Sequence, residues 1–250
     1  MKKPILLIVF SLLINFSFAQ GLDKEYKDAI QSFIECVKND NLDKLKTLIN
    51  YPLERQYPIP SVKNEQDFEK RYTAIFDDSL TSIIIKSNID KDWSDGGWRG
   101  VMLNRGILWF DGKLIGLSYQ SDFEKELRIQ LIEKDKKSIH KSINEFEKPI
   151  SIIKTSKYLI RIDKLSTGQF RYVSWSIESK MSEKPDLILT NGNIIHQEIS
   201  KNYKYEFVNG QHKYECIFHP MGEISTPPVE LIVYKKDKEL IKLPGEIKQF

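Results

Sequence analysis

Apolar residues recur every three or four positions from Asp23 to Val37, at Tyr26, Ile30, Phe33, Ile34 and Val37. That period predicts an amphipathic helix. Asn39, Asp40 and Asn41 follow as turn and cap, and NLDKLKTLI, Asn41 to Ile49, reads as a second short helix. Pro52, Pro58 and Pro60 forbid a helix interior across YPLERQYPIP. A third helix is predicted from Asn64 to Leu80, with Phe68, Tyr72, Ile75 and Phe76 on one side, so that Asp77 and Asp78 fall at its end.

The period then changes. RGVML, ILWF and KLIGLSY are short apolar runs separated by NRG and DG, and an Asp-Gly link between such runs is a strong hairpin signal. A two-residue turn at Asp111 and Gly112 would pair Phe110 with Lys113, Trp109 with Leu114 and Leu108 with Ile115. Both faces of that hairpin are apolar, which predicts a strand pair in the middle of its domain rather than at a rim.

A long helix is expected from Ser121 or Asp122 to about Phe146, its stripe marked by Phe123, Leu127 and Leu131 and then Ile139, Ile143 and Phe146. The polar run EKDKKS in its middle suggests a break or a solvent-exposed bridge, and the domain boundary is placed near Pro149. Beyond Ile150 the chain reads as strands: SIIKT, KYLIRID, FRYVSWSI, DLILT, NYKYEFV, HKYECIFH, VELIVY and ELIKL. Such regular short strands argue for a small sandwich or barrel. In NYKYEFV-NG-QHKYECIF an Asn209-Gly210 turn would set Phe207 against His212, Tyr205 against Tyr214 and Tyr203 against Cys216, with Glu206 facing Lys213 and Lys204 facing Glu215 on the other side.

The fold class is therefore α+β: N-terminal helices packed on a curved antiparallel sheet, followed by a mostly-β sandwich or barrel. The expected divisions are a signal peptide over 1–19, an α+β domain over 20–120, a connecting helix over 121–149 and a β-sandwich-like domain over 150–250. The leader rests on Lys2 and Lys3 ahead of an apolar run from Ile5 to Phe18, with Ser17 and Ala19 spaced for cleavage after Ala19. An uncleaved anchor is the competing reading, although a spanning helix usually needs about 20 apolar residues. Cleavage implies a periplasmic or extracellular protein with no stable membrane insertion.

Removing the leader leaves 36 basic against 35 acidic residues, a net charge of +1, so the basic isoelectric point carries little meaning. Nothing concentrates Lys and Arg on one face as a nucleic-acid partner requires. In an oxidising compartment Cys36 and Cys216 are a candidate disulfide; the alternative is two buried free thiols.

The chemistry that remains is sparse. His212, Cys216 and His219 sit in HKYECIFH, but four residues along a strand span roughly 13 Å, too far for ligands of one ion. No metal, cofactor or catalytic residue is assigned; His140 and His196 read as exposed, His212 as an aromatic neighbour on a sheet and Trp175 as core. There is no G-x-S-x-G, phosphate-binding glycine loop or H-E-x-x-H. The candidate ligand site is DWSDGGWRG, where Trp93 and Trp98 bracket a double glycine with Asp95 and Arg99 beside them, a set able to stack on a sugar ring or a cationic group. The competing reading has both indoles closing the end of the sheet.

FIECVKNDNLDKLKTLINYPL, FEKRYTAIFDDSL and GWRGVMLNRGILWFDGKLIGL resemble a widespread group of uncharacterised secreted bacterial domains, and the order of helices before a curved sheet is similar to the cone-shaped fold of the nuclear-transport-factor-like (polyketide-cyclase-like) superfamily. That resemblance implies a cone-like domain but chooses no activity, because the superfamily holds enzymes and binding modules alike. The expected function is a secreted or periplasmic non-catalytic binding protein for an unknown protein or glycan of the cell envelope. The alternative is a small-molecule or hydrolytic enzyme with a carboxylate base inside the cone-like domain.

Overall fold

The computed structural model describes residues 22–196, 202–220 and 225–248, so the expected leader lies outside the described residues. Four helices come first: α1 (Lys24–Lys38), α2 (Leu42–Thr47), α3 (Glu65–Ile75) and α4 (Asp78–Lys86). They pack on an antiparallel sheet of order β1-β2-β3-β4, formed by Trp93–Asp95, Val101–Leu103, Leu108–Phe110 and Leu114–Leu117. Helix α5 (Asp122–Ser138) leads to eight strands: β5 (Lys148–Thr155), β6 (Tyr158–Lys164), β7 (Phe170–Ser176), β8 (Leu187–His196), β9 (Tyr203–Asn209), β10 (His212–Phe218), β11 (Val229–Lys235) and β12 (Lys238–Lys248). These close into an antiparallel barrel in the order β10-β11-β12-β5-β6-β7-β8-β9. The α+β class with a β-rich C-terminal domain is as the sequence pattern predicts, and of sandwich and barrel it is the barrel that forms.

Each domain has its own core. Ile30 and Phe33 of α1, Phe68 of α3 and Ile84 of α4 meet Trp93, Leu108 and Phe110 of the sheet. Ile160, Tyr172, Phe207, Cys216 and Leu231 fill the barrel. A third cluster joins Ile132 of α5 and Ile139, Ile143 and Phe146 beyond it to Val173 and Trp175 on the barrel wall. Trp175 is core, 1% exposed, as expected.

Four local expectations need correction. The helix predicted over Asn64 to Leu80 is two helices, because Phe76 leaves helical geometry at ψ 72° and the extended Asp77 takes the cap of α4, its carboxylate accepting the Leu80 amide at 2.8 Å. Asp77 and Asp78 thus begin a helix rather than end one.

The β3-β4 hairpin pairs Phe110 with Leu114, Trp109 with Gly116 and Leu108 with Leu117, with a bulge after Trp109. Its loop holds Asp111, Gly112 and Lys113, with Gly112 at φ +65°, the left-handed residue of a three-residue loop. The extra residue moves every pair expected from a two-residue turn. Nor is the hairpin central: β4 is an edge strand, Ile115 is 38% exposed, and the free edge is met at Leu114 by the backbone of Leu48 and Asn50.

In the β9-β10 hairpin Asn209 pairs with His212, Phe207 with Tyr214, Tyr205 with Cys216 and Tyr203 with Phe218. Gly210, at φ +58°, takes the first central position of the turn, as a type II′ turn favours, so the turn sits one residue later than expected. The slip conserves which side chains face the core. It opposes Glu206 to Glu215, and Lys204 offsets the repulsion by reaching both, at 3.2 and 2.6 Å.

Finally, α5 runs unbroken through EKDKKS to Ser138, followed by a short 3-10 turn, Lys141–Ile143. Asp135, inside the run expected to be exposed, is 1% exposed.

Candidate functional site

The predicted aromatic site separates into two unlike halves. Trp93 is 4% exposed, edge-on to Phe110 at 6.4 Å, and its indole N–H donates to Ser87 Oγ at 3.0 Å. It closes the sheet and cannot meet a ligand. Trp98 is 68% exposed. The Arg99 guanidinium lies 5.6 Å from the Trp98 ring centre and 4.9 Å from that of Trp109, a cation between two π faces. Its Nε is buried and has no hydrogen-bond partner among the described residues. Asp95 is spent locally, accepting the Gly97 amide at 2.6 Å. The tight corner comes from Gly96, where an added Cβ would stand 2.5 Å from the Trp109 ring, and from Gly100 at φ +75°. The loop therefore presents one tryptophan on a rigid base, without the flanking pair expected of Trp93 and Trp98.

A second arrangement is built around α5. Ser121 caps this helix, accepting the Glu124 amide at 3.1 Å, and its hydroxyl donates to the Ala74 carbonyl at the end of α3. Glu124, 1% exposed, receives a forked pair of bonds from Arg55 Nε, at 2.8 Å, and Arg55 Nη2. Arg55 also donates to the carbonyls of Leu117 and Tyr119, at 2.6 Å each. Arg128 donates to the Tyr57 carbonyl at 2.9 Å.

Farther along α5, Asp135 is forked with Arg161 of β6 at 3.0 and 2.6 Å. Arg161 reaches Asp163 at 2.7 Å, and Asp163 reaches Arg171 of β7 at 2.7 Å. Arg171 in turn donates to the carbonyls of Ile143 and Glu145. Arg161 also sits 4.7 Å from the Phe146 ring centre. Two acids and two bases alternate along this buried chain, so its formal charge cancels while each planar arginine head finds directed acceptors.

These bonds fix the rotation of α5 about its own axis, with Glu124 and Asp135 turned inward. Phe123 stands out at 61% exposed, while Leu127 and Leu131, mostly buried, are partly open to solvent beside it. Together with Pro60, Ala74 and Ile75 they line an open, largely apolar groove of about 540 Å³ between α3 and α5. Lys63, Asp67 and Arg71 stand on its α3 side. The sequence pattern marks this stripe, but periodicity identifies an apolar face without saying what covers it. Arg55, Lys63 and Arg71 gave no sequence signal at all; their roles depend on contacts with residues distant in the chain.

The remaining candidates stay apart. Cys36 lies in the helical core and Cys216 in the barrel core, both buried and free, so the candidate disulfide is not formed. Burial pushes the Cys216 thiol up to about 12. His140 caps the 3-10 turn, the His196 ring lies 6.0 Å from Tyr203, and His219 meets Glu230 at 3.3 Å. Among the described residues no three His, Cys, Asp or Glu side chains are grouped to hold a metal ion. The deeply buried carboxylates Glu124, Asp135, Asp163 and Glu215 are each ion-paired, and Phe33, Phe68 and Phe110 fill the interior where a carboxylate base would need space. Comparison with protein families, curated proteins and solved structures finds no match to this chain.

Proposed function

We propose that the protein is a non-catalytic binding protein, exported to the periplasm or beyond, that docks a partner in the groove between α3 and α5. One observation carries this reading: α5 buries Glu124 and Asp135 and leaves an apolar stripe, the exposed Phe123 with the partly covered Leu127 and Leu131, lining a solvent-open groove. Orienting a helix this way gives up most of the burial of Phe123 and part of that of Leu127 and Leu131, where full cover of such a side chain is worth about 1.5–3 kcal/mol. An interaction surface recovers that loss when a partner binds. Trp98 is the secondary candidate surface, since it is a single exposed indole on a rigid loop.

The test is affinity capture by the tagged mature protein from native envelope extract, with Leu127→Glu and Trp98→Ala beside the wild type. A component retained by wild type and Trp98→Ala but lost by Leu127→Glu places recognition in the groove. Capture unchanged by Leu127→Glu, with the unfolding midpoint intact, overturns it. Export is tested by sequencing the N-terminus of the protein recovered outside the cytoplasm, which should begin at Gln20.

A further inference from the structure

We infer that the occupant of the groove is an acidic amphipathic helix; this rests on the binding reading above. The first argument is shape. Phe123, Leu127 and Leu131 are spaced at four residues, so the stripe is about 12 Å long, some two helical turns. Ser121 at the start of α5 bonds Ala74 at the end of α3, while Lys63, ahead of α3, lines the same groove as Leu131. The two helices therefore run antiparallel as the walls of a trough, which a third helix fills with side chains at i, i+3 or i+4, and i+7.

The second argument concerns coverage. Bound small molecules typically have about 70–90% of their surface enclosed. A groove that leaves Phe123 61% exposed does not enclose an acyl chain to that degree. A helix brings its own polar outer face to water, so an open groove suffices for it.

The third argument is charge. Both carboxylates of the groove are already engaged: Glu124 by Arg55, and Asp67 by the Lys63 amide at 3.0 Å and by Arg71 at 3.6 Å. The Lys63 ammonium has no partner among the described residues, and Lys70 and Lys134, outside the lining itself, are exposed one helical turn on from the groove residues Asp67 and Leu131. A basic border around an apolar floor selects a helix whose flanks are acidic and disfavours a basic one.

The experiment uses the full chain without its leader and two synthetic helical peptides of about 18 residues that share one leucine stripe, one flanked by glutamates and the other by lysines. Their binding is followed by fluorescence anisotropy at low salt, with laurate titrated separately. The expected result is binding of the acidic peptide at least about tenfold tighter than the basic one, a gap that narrows with salt and with Lys63→Glu/Lys134→Glu. Leu127→Glu and the milder Leu131→Gln should each weaken both peptides, with thermal midpoints confirming that the variants fold. Equal affinity for the two peptides overturns the acidic assignment. Laurate binding that depends on Leu127, without peptide binding, overturns the helix but keeps the groove. If no probe depends on Leu127 or Leu131, the groove itself fails as the binding site.

Discussion

Asp135 and Arg161 lie 26 positions apart in the chain, are joined by two parallel hydrogen bonds at 3.0 and 2.6 Å, and have side chains wholly removed from solvent. This pair attaches α5 to the barrel wall, as the Arg55–Glu124 pair attaches its other end to the helical domain. Both pairs act on one helix, so together they determine which of its faces reaches the groove.

Asp135→Asn keeps the shape but removes the charge opposite Arg161, which is then left with only Asp163. Breaking a buried pair on one side costs about 3 kcal/mol or more, whereas replacing both partners with apolar residues is often neutral. Asp135→Asn should therefore lower the urea midpoint clearly, and Asp135→Leu/Arg161→Met should recover most of the loss. Equal losses in the single and double variants would show that the contribution comes from packing rather than charge.

The two tryptophans of the glycine loop should behave oppositely. Trp93→Ala empties a core site and is expected to cost about 3–5 kcal/mol. Trp98→Ala removes one of two rings around Arg99, worth about 0.5–1 kcal/mol at an exposed position. Denaturation of both variants checks this, and a Trp98→Ala loss as large as that of Trp93→Ala would mean that the loop organises the sheet.

Much of this architecture is legible in the sequence, and the illegible part has a common cause. Element type follows from local periodicity, so α1, the eight C-terminal strands and the burial of Trp175 are all readable. Turn register is less so: Gly112 and Gly210 announce hairpins, but a bulge and a II′ placement each move the pairing while leaving the chemical pattern intact. The groove is the least legible, because its existence depends on Glu124 and Asp135 finding arginines 69 residues before and 26 residues after them. A polar run containing such a buried aspartate is indistinguishable, by composition, from a solvated linker.

Cys216 should be inert in the folded protein. Its thiol is wholly enclosed in the barrel core and pushed up to about 12, so almost no thiolate exists near neutral pH. Cys36 is 3% exposed in the other core. A thiol reagent at about pH 8 is expected to modify neither cysteine in the native state and both after denaturation, as in ordinary thiol chemistry. One covalent bridge, detected by mass under non-reducing conditions, would contradict the free thiols.

The outer wall of the barrel should carry a measurable acid sensitivity at Glu215. Burial acts to raise this carboxyl, but hydrogen bonds and charge from Lys204, at 2.6 Å, and Lys213, at 3.1 Å, prevail and hold it below the ordinary glutamate value. A carboxyl lowered in the folded state binds protons more readily when unfolded. Its stabilising contribution is thus complete above the ordinary glutamate range and declines as pH falls through that range towards the lower folded value. Other carboxylates titrate in the same window, so the informative quantity is the difference between wild type and Glu215→Gln. The variant should be less stable near neutrality and should lose less stability on acidification, with the two curves converging at low pH. Lys204→Met should cost more than Lys213→Met, because Lys204 alone also reaches Glu206, the like charge paired directly across from Glu215. Parallel pH curves for wild type and Glu215→Gln would mean that the two lysines do not hold this carboxylate, and that the opposed glutamates are tolerated only through solvent.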